Sequence, residues 1–301
     1  MKILILPLRL IIIQKYSNDF LFRCVMMAGI SILAIGLISI QAWADEQLAK
    51  ESQNPIGNLI SVPLQNNGYF GIGPSDSSAY VLNIQPVIPV TFGNVNLINR
   101  ITLPVIGLQG QDQAPPDKVL DLGMVGPISD ATESQFGLGD ITYQAFFGPA
   151  KPGKVIWGVG PAIVLPAATN SKLSSDKWCA GPAAVALVMP GKWVVGVLAQ
   201  NVWSFAGDSD VPNVNKFLFQ YFVNYNMEAG WYLTSGPIMT ANWEASSGNE
   251  WMVPLGGGFG RLVKFGKQPV DFKLQAFWNA VKPDMGPDWS LQFQVKFLFP
   301  K

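Results

Sequence analysis

The sequence predicts an all-β chain, a transmembrane antiparallel β-barrel of about twelve strands behind a signal peptide. Three observations predict it. Apolar residues alternate with polar ones over stretches of about ten residues, the length that crosses a bilayer at a tilt. The connections between those stretches are tight and long by turns, and tryptophans mark the stretch ends. The chain is 49% hydrophobic and only 13% charged, with Lys plus Arg and Asp plus Glu at 20 each. It therefore lacks the basic excess that nucleic acid binding requires, and no nucleic-acid partner is expected.

Residues 1–44 read as a secretory signal peptide. An apolar run from Val25 to Ala42 follows Lys15 and Arg23 and ends at Ala42-Trp43-Ala44, a small-x-small cleavage pattern before Asp45-Glu46. An uncleaved anchor helix is the alternative, because the run nearly matches the roughly 17 to 25 residues that span a bilayer. Removing the leader takes away Lys2, Arg9, Lys15 and Arg23 against Asp19, so the mature chain is mildly acidic. Cys24 leaves with it, and Cys179, in an apolar alternating run, reads as a small buried hydrophobe. Residues 45–64 follow, where Ile56, Leu59, Ile60 and Val62 form an apolar patch between polar residues. They are expected to be either a periplasmic lead-in or a plug in the lumen.

The barrel is expected over residues 65–301. Its first strand is Gln65 to Gly73, with Tyr69, Phe70 and Ile72. Strands follow near 79–91, 94–106, 135–147, 155–166, 177–189, 193–205, 216–226, 231–244, 251–265, 270–281 and 288–299. Counts of about ten or fourteen are the alternatives. Alternation is clearest at the C-terminus, where Trp289, Leu291, Phe293, Val295, Phe297 and Phe299 interleave with Ser290, Gln292, Gln294 and Lys296. Val270, Phe272, Leu274, Ala276 and Trp278 likewise interleave with Asp271, Lys273, Gln275 and Asn279, and Phe217, Phe219, Tyr221, Val223 and Tyr225 with Lys216, Gln220 and Asn224.

Tight connections fall at 148–154, 190–192, 227–230 and 266–269, and long ones at 107–134, 167–176, 206–215, 245–250 and 282–288. Short periplasmic turns and longer outside loops are the outer-membrane pattern. Trp178, Trp203, Trp243, Trp251, Trp278 and Trp289 flank long loops, and Trp157, Trp193 and Trp231 follow tight turns. Two interfacial aromatic girdles are expected from them. The tight turns carry Lys151, Lys154, Lys192 and Lys267, whereas the long loops carry Asp176, Asp208, Asp210, Glu250, Asp284 and Asp288.

Proline donates nothing to a ladder, so Pro86, Pro89, Pro161, Pro182, Pro237 and Pro254 predict bulges. The run Gly256-Gly257-Gly258 is the favoured site. A bulge there would turn Arg261 inward, out of lipid that would cost it about 2 to 4 kcal/mol at mid-depth.

Histidine is absent, which removes Ser-His and Cys-His nucleophile pairs and imidazole metal ligands. No enzyme, catalytic residue, metal or cofactor is expected.

Several segments carry a family resemblance. They are NPIGNLISVPLQNN at 54–67, NIQPVIP at 83–89, INRITLPVI at 98–106, GLGDI at 137–141, GVGP at 158–161, Lys177-Trp178 with Gly181-Pro182, and the ending FLFPK at 297–301. Over roughly residues 53–301 the chain resembles the transporter-like outer-membrane family of meta-pathway phenol degradation, some members of which carry the label neuromedin U. The resemblance implies a β-barrel of the bacterial outer membrane that moves small solutes, aromatic or hydrophobic compounds among them. It also implies recognition of the terminal strand, through Phe297 and Phe299, by the barrel-assembly machinery. This chain departs from the usual aromatic last residue by ending on Pro300-Lys301.

With the aromatic faces in lipid, Gln85, Arg100, Asp140, Gln144, Lys216, Gln220, Asn224, Lys273, Gln275, Asn279, Gln292, Gln294 and Lys296 point into the lumen, joined by Arg261 if the bulge forms. Arg100 and Asp140 lie on neighbouring strands and are an expected ion pair. Cations outnumber acids on this face, which favours anions or polar neutral solutes. A channel or transporter is the expected function, and a non-conducting structural or adhesive barrel is the alternative.

Overall fold

A computed structural model describes residues 46–110 and 134–300. The expected leader, Trp43 and most of the 107–134 connection lie outside the described residues. Among the described residues, one α-helix, α1 (Glu46–Gln53), precedes the strands. These are β1 (Ile60–Ile72), β2 (Ser77–Ile84), β3 (Val87–Phe92), β4 (Val95–Leu108), β5 (Gln135–Leu138), β6 (Ile141–Pro149), β7 (Val155–Leu165) and β8 (Lys177–Val188). Then come β9 (Trp193–Gly207), β10 (Asn215–Asn226), β11 (Trp231–Ser235), β12 (Ile238–Asn242), β13 (Trp251–Phe265), β14 (Gln268–Val281) and β15 (Trp289–Phe299).

All pairings are antiparallel, and the sheet closes where β1 meets β15 through eleven residue pairs, from Ile60 opposite Phe299 to Phe70 opposite Trp289. The fifteen segments make twelve staves, because β2 with β3, β5 with β6 and β11 with β12 are each one stave broken in the middle. The twelve-strand expectation is thus what the fold shows.

The breaks follow from the backbone. Gln85-Pro86 and Gly236-Pro237 interrupt two staves where proline offers no N–H to the ladder. Gly139-Asp140 interrupts the third. Neighbouring strands still satisfy the groups around two of these breaks: the Gln85 amide donates to the Pro63 carbonyl at 2.9 Å, and the Gly139 amide to that of Pro104 at 2.8 Å. Pro161 and Pro182 lie opposite each other inside unbroken β7 and β8, so two missing donors fall at one level of the wall.

The expected bulge sits elsewhere than at the glycine run. Register shifts between Val253 and Pro254, whose partners are Val281 and Asn279, so Ala280 is the extra residue and lies on β14. Gly256, Gly257 and Gly258 then pair in step with Phe277, Ala276 and Gln275. Their small size is used for close backbone approach: a Cβ on Gly258 would lie 1.9 Å from the Leu274 carbonyl oxygen.

β1 begins at Ile60, so residues 60–64, expected in the lead-in, belong to the wall. Ile60, Val62 and Leu64 face outward and pair with Phe299, Phe297 and Val295, while Ser61, Pro63 and Gln65 are buried inward. The connections alternate as expected. Two-residue turns at Gly93-Asn94 and Gly266-Lys267 use glycine at positive φ, and the opposite rim carries the longer loops.

Gly181 gives a direct test of wall packing. A Cβ there would sit 1.8 Å from the Asn201 carbonyl oxygen, whereas one on Gly153 meets nothing within 4 Å. Gly181→Val should abolish the heat-modifiable folded band on a gel, and Gly153→Ala should leave it unchanged.

Candidate functional site

Inward side chains build the site in layers. Across the middle of β11, β14, β15 and β1 runs an amide belt. Thr234 Oγ1 donates to Gln275 Oε1 at 3.4 Å, Gln275 Nε2 to Gln292 Oε1 at 2.8 Å, and Gln292 Nε2 to Asn67 Oδ1 at 3.1 Å. Gln65 Nε2 reaches the same Asn67 oxygen at 3.2 Å. Glutamine supplies both donor and acceptor, so identical residues on adjacent strands link head to tail and no buried amide in this row lacks a partner. Farther round the wall, Gln144 on β6 hydrogen-bonds Gln200 on β9.

Between this belt and the tight-turn rim lies a cavity of about 120 Å³. Arg100, Lys273 and Lys296 line it, with Asp271 and Glu51 as counter-charges. Asp271 is committed, accepting from the Tyr232 hydroxyl at 2.8 Å. Lys296 is committed as well, donating to the Ser52 carbonyl at 2.7 Å in the last turn of α1, where a cation meets the negative end of the helix. Arg100 Nη2 reaches Gln85 Oε1 at 3.4 Å. Lys273 makes no hydrogen bond among the described residues, and Asp271, two residues away on the same face, is its counter-charge.

The opposite wall is apolar. Inward positions on β7, β8 and β9 hold small or aliphatic residues, including Ala162, Ala183, Val185, Leu187, Val194, Leu198 and Val202. They pack with Ile98, Phe146 and Phe222 into one cluster. The bore is therefore two-sided, polar and cationic along β14, β15, β1 and β4, and mainly hydrocarbon along β7 to β9, where Lys177 and Gln200 are polar exceptions.

Both ends of the bore are narrowed by segments that fold inward. At the tight-turn rim, Gln53 and Asn226 exchange amide hydrogen bonds at 2.7 and 3.1 Å, and Ala49 and Leu59 pack on Leu262 and Leu298. Ile56 joins the apolar cluster beside Phe146. At the long-loop rim, Asp140 takes hydrogen bonds from the Ser174 hydroxyl at 2.8 Å, the Ser175 amide at 2.7 Å and the Ser175 hydroxyl at 2.8 Å. These hold the β7–β8 loop down, with Leu173 fully buried against Ile106, Leu108 and Val81.

The structure places most of the expected lumen residues on the inner face. Arg100, Gln144, Gln220, Asn224, Lys273, Gln275, Gln292, Gln294 and Lys296 are there, with Gln85 and Asn279. Lys216 lies near the long-loop rim, where it and Lys177 act electrostatically on buried Cys179, as Asp140 does. Arg261 corrects the expectation. It pairs with outward Phe272 and stands over the Trp231 ring at 5.0 Å on the outer face. Its position near the tight-turn rim removes the need for inward burial, since charge near the interface costs only about 0 to 1 kcal/mol. Arg100 and Asp140 also do not pair, because Asp140 is taken by the folded-in loop and Arg100 by Gln85. Lys177, Gln65, Asn67, Gln200 and Tyr232 were not foreseen.

The girdle tryptophans all stand on the outer face. Trp157, Trp178, Trp193, Trp203, Trp243, Trp251, Trp278 and Trp289 are exposed, and Trp231 is half-buried. Several stack in place: Trp243 meets Trp251 edge-on at 5.4 Å, and Phe70 stacks on Trp289 at 4.2 Å.

No protein-family model matches the sequence, and no curated protein is a significant match. Solved structures are similar in fold. An outer membrane channel from Pseudomonas putida F1 superposes with a TM-score of 0.56 at 15% identity, covering 82% of this chain and 97% of that one. LpxR from Salmonella typhimurium gives 0.41 at 8%, covering 79% and 100%, and the CymD monoaromatic hydrocarbon channel gives 0.35 at 10%, covering 87% and 95%. The fold is that of an outer-membrane barrel.

If Asp140 anchors the β7–β8 loop, Asp140→Ala should leave the barrel folded and expose the loop. Trypsin cleavage after Lys172, followed by mass spectrometry in detergent, should become faster than in the parent chain.

Proposed function

We propose that the chain is an outer-membrane channel or transporter for small solutes, aromatic or hydrophobic compounds among them, and that it carries out no chemistry on them. The observation that carries this reading is the two-sided bore, in which an apolar wall faces a row of amides and cations. Such a lumen offers hydrocarbon contact and polar orientation to one solute at once. The fold shared with the Pseudomonas putida channel supports the reading. Assignment to the phenol-degradation family rests on the segments quoted above, and targeting to the assembly machinery on the aromatic face of β15. In this orientation the tight turns are periplasmic and the long loops outside.

The α1 segment is then the plug of the periplasmic mouth, and the β7–β8 loop narrows the outer one. A structural barrel is the second reading, favoured by this closure at both ends. Planar-bilayer recording separates the two. The mature chain should show small discrete steps, and deletion of residues 46–58 should raise their conductance several-fold. Permanent silence of a folded barrel, with and without the deletion, would contradict the channel reading. Arg100→Ala with Lys273→Ala should reduce the anion preference of the steps, read as a shift in reversal potential under a salt gradient.

A further inference from the structure

Two buried side-chain nitrogens on residues that line the cationic cavity have no hydrogen-bond partner among the described residues: Gln85 Nε2 and Gln294 Nε2. Both residues are almost wholly buried, at 3% and 4% exposure, and both line the same cavity as Arg100 and Lys273. The Gln85 orientation is set by its neighbour, because its Oε1 accepts from Arg100 and its Nε2 must then point elsewhere. A buried amide donor without an acceptor is costly, and Lys273 lines the same cavity with three N–H donors, Asp271 two residues away being its nearest counter-charge. Arg100, Lys273, Gln85 and Gln294 thus line one space, and the acid on the same wall, Asp271, takes the Tyr232 hydrogen bond on Oδ1 and offsets one positive charge.

We propose that this cavity binds a monocarboxylate with a compact apolar body, an organic acid held by its carboxylate on Arg100, Lys273, Gln85 and Gln294. Three features select that class. The guanidinium fork and the amides suit the flat, two-oxygen acceptor of a carboxylate. Arg100, Lys273 and Lys296 against Asp271 and Glu51 leave a surplus of one positive charge, which matches a monoanion better than a phosphate dianion. Val87 and Phe222 line the same cavity and belong to the apolar cluster, so hydrocarbon lies beside the donors.

The site rests on the channel reading for its place on a solute path, but its occupancy is tested separately. Isothermal titration of the refolded mature chain in detergent uses benzoate as the probe, with benzyl alcohol, acetate and inorganic phosphate for comparison. Benzoate should bind saturably, and the other three at least about tenfold more weakly, since each lacks the charge, the body or the single charge of the match. Arg100→Gln should weaken benzoate by about tenfold or more, Gln294→Leu should weaken it measurably, and Arg261→Gln on the outer face should leave it unchanged. Folding of each variant is checked by heat modifiability. Absence of saturable benzoate binding, equal binding of acetate or phosphate, or indifference to both inner variants would overturn the proposal. A conducting barrel that ignores benzoate would sink this site and spare the channel, whereas benzoate binding by a silent barrel would do the reverse.

Discussion

The pairing of β1 with β15 is the contact on which the rest of the structure depends. In hydrocarbon no water satisfies a free N–H or C=O, and each open group costs several kcal/mol, so a sheet that crosses lipid must close on itself. Eleven residue pairs perform that closure here. They set the register of the first and last staves, and every other stave follows from its neighbour. Outward residues of the pair, Ile60, Val62 and Leu64 against Phe299, Phe297 and Val295, present hydrocarbon to lipid, while Ser61, Gln65, Asn67, Gln292 and Gln294 are placed inside.

Closure separates the chemistry of the two faces. The outer face must be apolar with aromatic ends, whereas the inner face is constrained only by side-chain volume and by the partners that each polar group requires. Small inner residues on β7 and β8, Ala162, Gly181 and Ala183 among them, leave room that Phe146 and Phe222 fill from other staves. Gln275 on β14 and Gln292 on β15 link to each other along the opposite wall. The cavity lies where those two solutions meet, above α1, and that is why its lining mixes cations, amides and hydrocarbon.

The twelve staves were legible because period-two alternation reports a buried face directly, most clearly on β10, β14 and β15. Where the reading failed, the deciding contact was distant in the chain. Asp140 gave no sign that a loop more than thirty residues on would claim it through Ser174 and Ser175. Without a bulge, Arg261 shares the outward face of Trp251, Val253 and Leu255. An assumed mid-membrane depth moved it inward, although pairing with Trp231 puts it near a rim. The start of β1 was hidden because residues 45–64 show no sustained alternation, and Ile60, Val62 and Leu64 make only a short apolar series whose partners lie at the far end of the chain. The amide belt could be guessed residue by residue from the inner face, but its links needed the register.

Spin labelling of β15 reports which of its faces meets lipid. Single cysteines at Leu291 through Lys296, in a Cys179→Ala background reconstituted in lipid, would carry nitroxides whose collisions with oxygen and with a water-soluble nickel complex are measured by electron paramagnetic resonance. Oxygen access should peak at Leu291, Phe293 and Val295 and fall at Gln292, Gln294 and Lys296, where the label faces the lumen. The opposite phase, or no two-residue period, would contradict a barrel with its aromatic face in lipid.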